Sequence, residues 1–217
     1  DNISKTIEGV EVLKNFSMTV GKGQKIAFVG TNSLAITTLL QILVGELSVD
    51  SGTFRWGQTI SHSYFPKENS AFFKKDETLV EWLGQWTPPN EGESFARGFL
   101  GKMLFSGDEA LKKTGVLSGG ERVRCMLARM MLSDANVLLF DEPTNHLDLE
   151  SIIALNNGMQ AFAEIILFSS HDHTLVQTVA NRIIEILPGG YIDKMMPYDD
   201  YLADADVEML RERFATK

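Results

Sequence analysis

The spacing of hydrophobic and polar positions divides the chain into three stretches. From 10 to 20, Val10 and Val12, then Phe16, Met18 and Val20, alternate with other residues at the two-residue period of half-buried strands. This predicts two short strands with a turn at Leu13–Asn15. Lys25-Ile-Ala-Phe-Val-Gly30 is a nearly unbroken apolar run ending in glycine and predicts a buried strand. Thr37–Val44 predicts a helix, with 31–36 as the bend between the two. Asp50-Ser51-Gly52 marks a turn, and 53–65, rich in Thr, Ser and aromatics, predicts two more strands ended by Pro66, which cannot donate to a ladder.

From about 77 to 132 the period becomes helical. Leu79, Trp82, Leu83 and Trp86 fall at i, i+3, i+4 and i+7, and Pro88-Pro89-Asn90 stops that helix. Phe95, Phe99 and Met103 recur every four residues in a second helix. Val123, Met126, Leu127, Met130 and Met131 stripe a third. These stripes are read as core packing. After 136 the α/β alternation returns, with strands at Val137–Phe140 and Ile165–Ser169, helices over about 150–160 and 173–180, and a strand pair over 182–195 turned at Pro188-Gly189-Gly190. An acidic helix from about 198 closes the pattern. A single α/β domain over 1–217 is expected, with a strand-rich part (1–75), an inserted helical part (76–133) and a returning α/β part (134–217).

Composition narrows the classes. The 217 residues are 44% hydrophobic and 23% charged, which fits a globular chain and excludes disorder as the main reading. No apolar run approaches the roughly 18 residues of a membrane span. No basic segment followed by an apolar one opens the sequence, so no signal peptide is read. Cys125 is the only cysteine, which excludes an intramolecular disulfide and fits a reducing, cytoplasmic setting. The net charge of −9 argues against broad nucleic-acid binding. It also means that any anion site must be built locally, against the overall field.

Three stretches carry chemistry. Val137-Leu-Leu-Phe-Asp141-Glu142-Pro143-Thr-Asn-His-Leu-Asp148 delivers two carboxylates at the carboxyl end of a hydrophobic strand, where ligands bind in open α/β sheets. Asp141 is suited to Mg²⁺, which wants oxygen ligands, and Glu142 to polarising a water. Leu117-Ser118-Gly119-Gly120-Glu121 opens a striped helix, with backbone N–H groups and the Ser118 hydroxyl offered to an anion. Ser169-Ser170-His171-Asp172 ends a strand, and a His there can reach a phosphate oxygen or an attacking water. The strand, tight loop and helix over 25–44 complete the opening unit of a nucleotide-binding α/β fold.

In this order the motifs resemble the ATP-binding domain of an ABC ATPase, and the resemblance covers essentially the whole chain. It implies a P-loop NTPase-like core with an antiparallel β subdomain and an inserted α-helical subdomain. Leu117–Glu121 is similar to the signature motif, Val137–Asp141 to the Walker B strand, Leu147-Asp148 to the D-loop, and His171 to the switch histidine. Glu142 takes the place of the catalytic base. The wording Glu-Pro-Thr-Asn145-His146-Leu-Asp resembles the ABC-F branch, soluble tandem ATPases that act on ribosomes. The segment is similar to the second ATPase domain of such a protein. It carries one motif set and starts within what reads as the first strand, so an excised domain is expected.

The resemblance breaks at the Walker A loop. Gly30-Thr31-Asn32-Ser33-Leu34-Ala35-Ile36-Thr37-Thr38 keeps Gly30, Asn32, Thr37 and Thr38, but Ala35 replaces the second glycine and Ile36 the lysine. Ser33 replaces a further glycine common in the family. Losing the lysine's charge-assisted contacts predicts ATP binding weakened by roughly tenfold to a hundredfold. Ala and Ser also resist φ > 0, which disfavours an anion nest. Ile7 stands where an aromatic often stacks on adenine. Lys67 stands where the Q-loop usually has Gln. It is a candidate to swing toward the phosphates and replace part of the lost charge, the alternative being a solvated surface lysine.

The resemblance implies ATP and Mg²⁺ as cofactors, with Thr37 and Asp141 on the metal. Glu142 would orient water and His171 would steady the γ-phosphate. It implies head-to-tail pairing with a second ABC domain. Ser118, Gly119, Gly120 and Asp148 would then serve the shared interface, while this chain's own site binds weakly. Three function classes stay open. These are a translation-associated ABC-F ATPase reaching the ribosome through regions outside the segment, the ATPase subunit of a membrane transporter, and a nucleotide-blind interaction module.

Overall fold

The computed structural model describes residues 1–74, 76–145 and 147–215. The first strands, β1 (Ile3–Ile7) and β2 (Val10–Phe16), form an antiparallel hairpin apart from the main sheet. Its reversal falls at Glu8-Gly9, with φ of 48° and 82°, and not at Leu13–Asn15 as the alternation predicts. Two successive positive-φ residues match the twist of a tight hairpin, so the reversal settles there. Leu13, meanwhile, is held in the core at 1% exposure.

The chain continues through β3 (Lys25–Val29) into α1 (Ser33–Leu43). Over 53–61 no strand forms among the described residues, which corrects the expectation of two. Trp56 donates its indole N–H to the Leu43 carbonyl at 2.8 Å, and Ile60 N–H closes a turn on the Gly57 carbonyl at 3.1 Å. These bonds tie the middle of the segment to α1 and to itself instead of to a ladder. Only β4 (His62–Phe65) joins the sheet.

The helical insertion holds α2 (Leu79–Gly84), α3 (Glu93–Lys102) and α4 (Gly119–Leu132). Thr78 with Glu81 and Ser118 with Glu121 form capping boxes that fix two of the three starts. Most of the predicted stripes of α2 and α4 is buried, with Trp86 and Leu127 half-buried and Met131 at the edge, 45% exposed. In α3 the buried residues are Ala96 and Leu100, while Phe95 and Phe99 stay half-buried with ring centroids 5.0 Å apart.

The α/β pattern then resumes as β5 (Val137–Asp141), α5 (Leu149–Ala161), β6 (Ile165–Ser169), α6 (His173–Val179), β7 (Arg182–Leu187) and β8 (Gly190–Lys194). The closing segment is two helices, α7 (Tyr198–Ala203) and α8 (Ala205–Ala215), where one was expected. Asp204 separates them, because its carboxylate accepts from the N–H groups of Asp206 and Val207 at 2.8 and 3.1 Å and so caps a new helix.

The six main strands run in the order β4-β5-β6-β3-β7-β8, parallel except for β8. Successive side chains point to opposite faces. Ile26, Phe28, Leu139, Leu167 and Ile184 therefore pack with Leu39, Leu40 and the hairpin's Leu13 and Phe16. Ala27, Val29, Phe140, Phe168 and Ile183 pack with the helical insertion on the other face. The parallel strands bring Gly30, Asp141-Glu142 and Ser169–His171 to one carboxyl edge.

Candidate functional site

Asp141 ends β5 directly opposite Ser169 on β6 and is 1% exposed. It accepts from the Thr37 hydroxyl at 2.7 Å through Oδ2 and from the Ser169 hydroxyl at 3.0 Å through Oδ1. Burial raises its pKa above the ordinary carboxylate range, and those two hydrogen bonds with the charge of Lys67 oppose the rise. Glu142, the next residue, is held at φ 50°, a sparsely populated conformation for a non-glycine residue. Its N–H donates to the Ser169 oxygen at 3.0 Å. Its Oε1 lies 3.3 Å from His171 Nε2, and its buried Oε2 has no hydrogen-bond partner among the described residues. Burial raises Glu142 as well, with His171 and Lys67 opposing and Asp141 adding to the rise.

A cavity of about 260 Å³ opens beside this cluster, lined by Gly30, Ser33, Ile36, Glu142, Ser170 and His171 on one side and by Glu185, Tyr198 and Arg211 on the other. Gly30 turns the chain out of β3 at φ 114°, and a Cβ there would sit 3.3 Å from Glu185 Cγ and from the Ile186 carbonyl. The bend expected over 31–36 is corrected: α1 already begins at Ser33. Asn32 caps it, accepting from the Ala35 N–H through its side chain at 3.1 Å and from the Ile36 N–H through its carbonyl at 3.3 Å. Alanine at 35 and serine at 33 favour this early helix where glycines would favour a loop. Ile36 is 4% exposed and packs in the same apolar cluster as Ile26 and Phe28.

The carboxyl edge gathers Gly30, Asn32, Thr37, Asp141, Glu142 and His171. Thr38 is one residue further along α1 and 1% exposed. Lys67 is exposed, two residues beyond β4, and its charge acts on both Asp141 and Glu142. Ser118, Gly119 and Gly120 are not among the residues lining this cavity. They form the start of α4, with Ser118 exposed and Gly119 and Gly120 half-buried; Ser118 Oγ accepts from the Glu121 N–H at 3.2 Å and Lys112 pairs with the Glu121 carboxylate at 2.7 Å. Asp148 is exposed and caps α5 by accepting from the Ser151 N–H at 2.8 Å, which lowers its pKa. Ile7 is half-buried against the hairpin cluster. His146 lies outside the described residues.

Two groups carry more than their sequence suggests. Ser169 joins both carboxylate residues, and its position at the end of β6, two residues before His171, is the signal that points to it. Glu185 accepts from the Tyr201 hydroxyl and from Arg211 Nε, both at 2.7 Å, and so ties α7 and α8 to the wall of the cavity. These partners are distant in sequence and carry no local pattern.

The Thr37 hydroxyl and the Asp141 carboxylate are hard oxygen donors 2.7 Å apart, a pair that suits Mg²⁺. The unpartnered Glu142 oxygen suits a water. The first turn of α1, Ser33-Leu34-Ala35-Ile36, carries no charged side chain.

Comparison with known proteins agrees with this fold. The family model described as ABC transporter matches residues 13–145. The ABC transporter ATP-binding protein YkpA of Bacillus subtilis is 59% identical over 96% of this chain, which spans 39% of that protein's length. Among solved structures, the ATP-binding cassette MJ0796, a dimer bound to ADP and Pi, superposes with a TM-score of 0.70 over 85% of this chain and 92% of its own, at 18% identity. The archaeal ribosome recycling factor aABCE1, in complex with the ribosomal stalk protein aP1, gives 0.66 at 26% identity, covering 84% of this chain and 35% of its own. Matched over more than half its length by that family model, this chain belongs to the ABC transporter family and is one of its ATP-binding ABC ATPase domains.

Proposed function

We propose that this chain is the ATPase domain of a tandem ABC-F protein acting in translation, with a weakened nucleotide site of its own and a signature motif that completes a site on a partner domain. The contrast between two helix starts carries this reading. Both starts are capped, but α4 opens on an exposed Ser118 followed by two side-chain-free glycines, whereas α1 begins at Ser33 and buries Ile36 within its first turn. A chain spanning 39% of YkpA leaves room for a second such domain in a protein of that kind. The Asn145-His146 wording supports the ABC-F branch, and the likeness to a ribosome recycling factor supports a ribosomal setting. No helix of the described residues is long and apolar enough to cross a membrane, and a cytoplasmic location fits.

At this chain's own site Thr37 and Asp141 would hold Mg²⁺, which would neutralise phosphate charge when bound. Glu142 would orient the attacking water and accept its proton, helped by its raised affinity for protons, while His171 would steady the γ-phosphate. The open N–H groups of Ser33 and Leu34 at the start of α1 would give a residual hold on anions. The early start of α1 is also the observation that favours a second reading, a nucleotide-blind interaction module. The family's description keeps a transporter subunit as a third.

Gel filtration with the paired ABC domain tests the proposal. ATP-dependent co-elution is expected, and Ser118→Arg is expected to abolish it by blocking the α4 terminus. Pairing that survives Ser118→Arg would remove the signature motif from the account.

A further inference from the structure

The sheet supplies a cation that α1 does not. Strand β4 runs parallel to β5 with Tyr64 opposite Leu139 and Phe65 opposite Phe140. The chain leaving β4 therefore emerges beside Asp141 and Glu142, and Lys67 is the second residue past the strand. Among the described residues Lys67 is the lysine whose charge acts on both carboxylates. It is exposed, and it makes no hydrogen bond or ion pair among the described residues. Thr37 reaches the same carboxylate, donating to Asp141 at 2.7 Å. Position 36 has no comparable freedom, because Ile36 is 4% exposed and seated among Ile26, Phe28 and Leu39.

An exposed ammonium with no short partner among the described residues is attracted toward two buried carboxylates, yet no short contact would have to break for it to turn. A flexible four-carbon stem with three donors suits a polyphosphate chain. We propose that Lys67 is the phosphate-binding cation of this site, positioned by the end of β4 in place of a lysine at the start of α1. This rests on the nucleotide-site reading above and adds a side-chain cation to the residual hold of the α1 N–H groups.

The test titrates wild type, Lys67→Ala and Lys67→Arg with Mg²⁺-ATP, Mg²⁺-ADP and AMP, and with inorganic tripolyphosphate as a probe lacking a base. Lys67→Ala is expected to weaken ATP and tripolyphosphate binding by roughly tenfold to a hundredfold, the worth of a lost set of charge-assisted contacts. The loss should shrink for ADP and vanish for AMP, and Lys67→Arg should restore most of it. Because Lys67 is exposed, the three proteins should melt alike, and the gradient with phosphate number separates contact from damage to the fold. ATP binding by Lys67→Ala within twofold of wild type, or an equal loss for AMP and ATP, would overturn the inference. Wild type that binds neither ATP nor tripolyphosphate would overturn the nucleotide-site reading itself, and this inference with it.

Discussion

Ser169→Ala probes how the site is held. The Ser169 side chain is 2% exposed and makes two hydrogen bonds of 3.0 Å, donating to Asp141 Oδ1 and accepting from the Glu142 N–H. Alanine fits the space but strands both groups. Asp141 is 1% exposed and Glu142 5% exposed, so neither gains water easily. Leaving a buried polar group without its partner costs about 1–3 kcal/mol. Asp141 keeps its bond from Thr37, so the sum should fall at about 2–4 kcal/mol. A chain of this size loses about 2–4 °C per kcal/mol, which places the expected fall in melting temperature on the order of 10 °C. The assay is a thermal melt followed by circular dichroism at neutral pH. Ser170→Ala serves as a control. Its hydroxyl meets Thr144 Oγ1, itself free to rotate, and the Asp172 N–H, so a smaller fall is expected. If Ser169→Ala melts within a degree of wild type, Ser169 is not what fixes the Asp141-Glu142 turn.

Three further outcomes are expected. Gly30→Ala places a Cβ at φ 114° within 3.3 Å of Glu185 Cγ and the Ile186 carbonyl, and should cost about 1–3 kcal/mol in a denaturant melt; an unchanged midpoint would refute the close approach. Glu142→Gln should stabilise the fold near neutral pH. Burial raises the folded pKa above the ordinary 4.5, so the ionised form is penalised above the raised value and the penalty disappears below the ordinary one. The gain over wild type should therefore shrink as pH falls through that window, and a gain independent of pH would contradict it. Cys125 is 0% exposed and its thiol is pushed well up by burial, so a thiol reagent should label it only after unfolding. Rapid labelling of the native chain would refute that.

Much of the main sheet is legible in the sequence, because buried parallel strands such as Val137–Phe140 and Ile165–Phe168 read as short apolar runs with few competing explanations. The carboxylate pair and His171 are legible for the same reason: Asp141-Glu142 directly follows such a run and His171 lies three residues past the other. The hairpin turn is less so, since alternation through Leu13–Asn15 looks alike whether the strand turns or continues, and Glu8-Gly9 decides the matter through backbone conformation. The start of α1 is obscured by its resemblance to a phosphate loop. Gly30, Asn32 and Thr37 suggest a bend, but Ser33 and Ala35 remove the glycines a bend needs, and Asn32 serves as a helix cap. The Glu185–Tyr201–Arg211 cluster is not legible at all, because residues 16 and 26 positions from Glu185 meet it only once α7 and α8 fold back on β7.

The central claim is that substitution within 33–36 has weakened this chain's own nucleotide site. Calorimetric titration with Mg²⁺-ATP of wild type beside Ser33→Gly/Ala35→Gly/Ile36→Lys tests it most directly. The two glycines permit the loop and the lysine supplies the charge, so the triple variant should bind roughly tenfold to a hundredfold tighter. Ile36→Lys alone should gain little, since helix α1 keeps position 36 in the core. Wild type binding as tightly as the triple variant would contradict the weakened-site account.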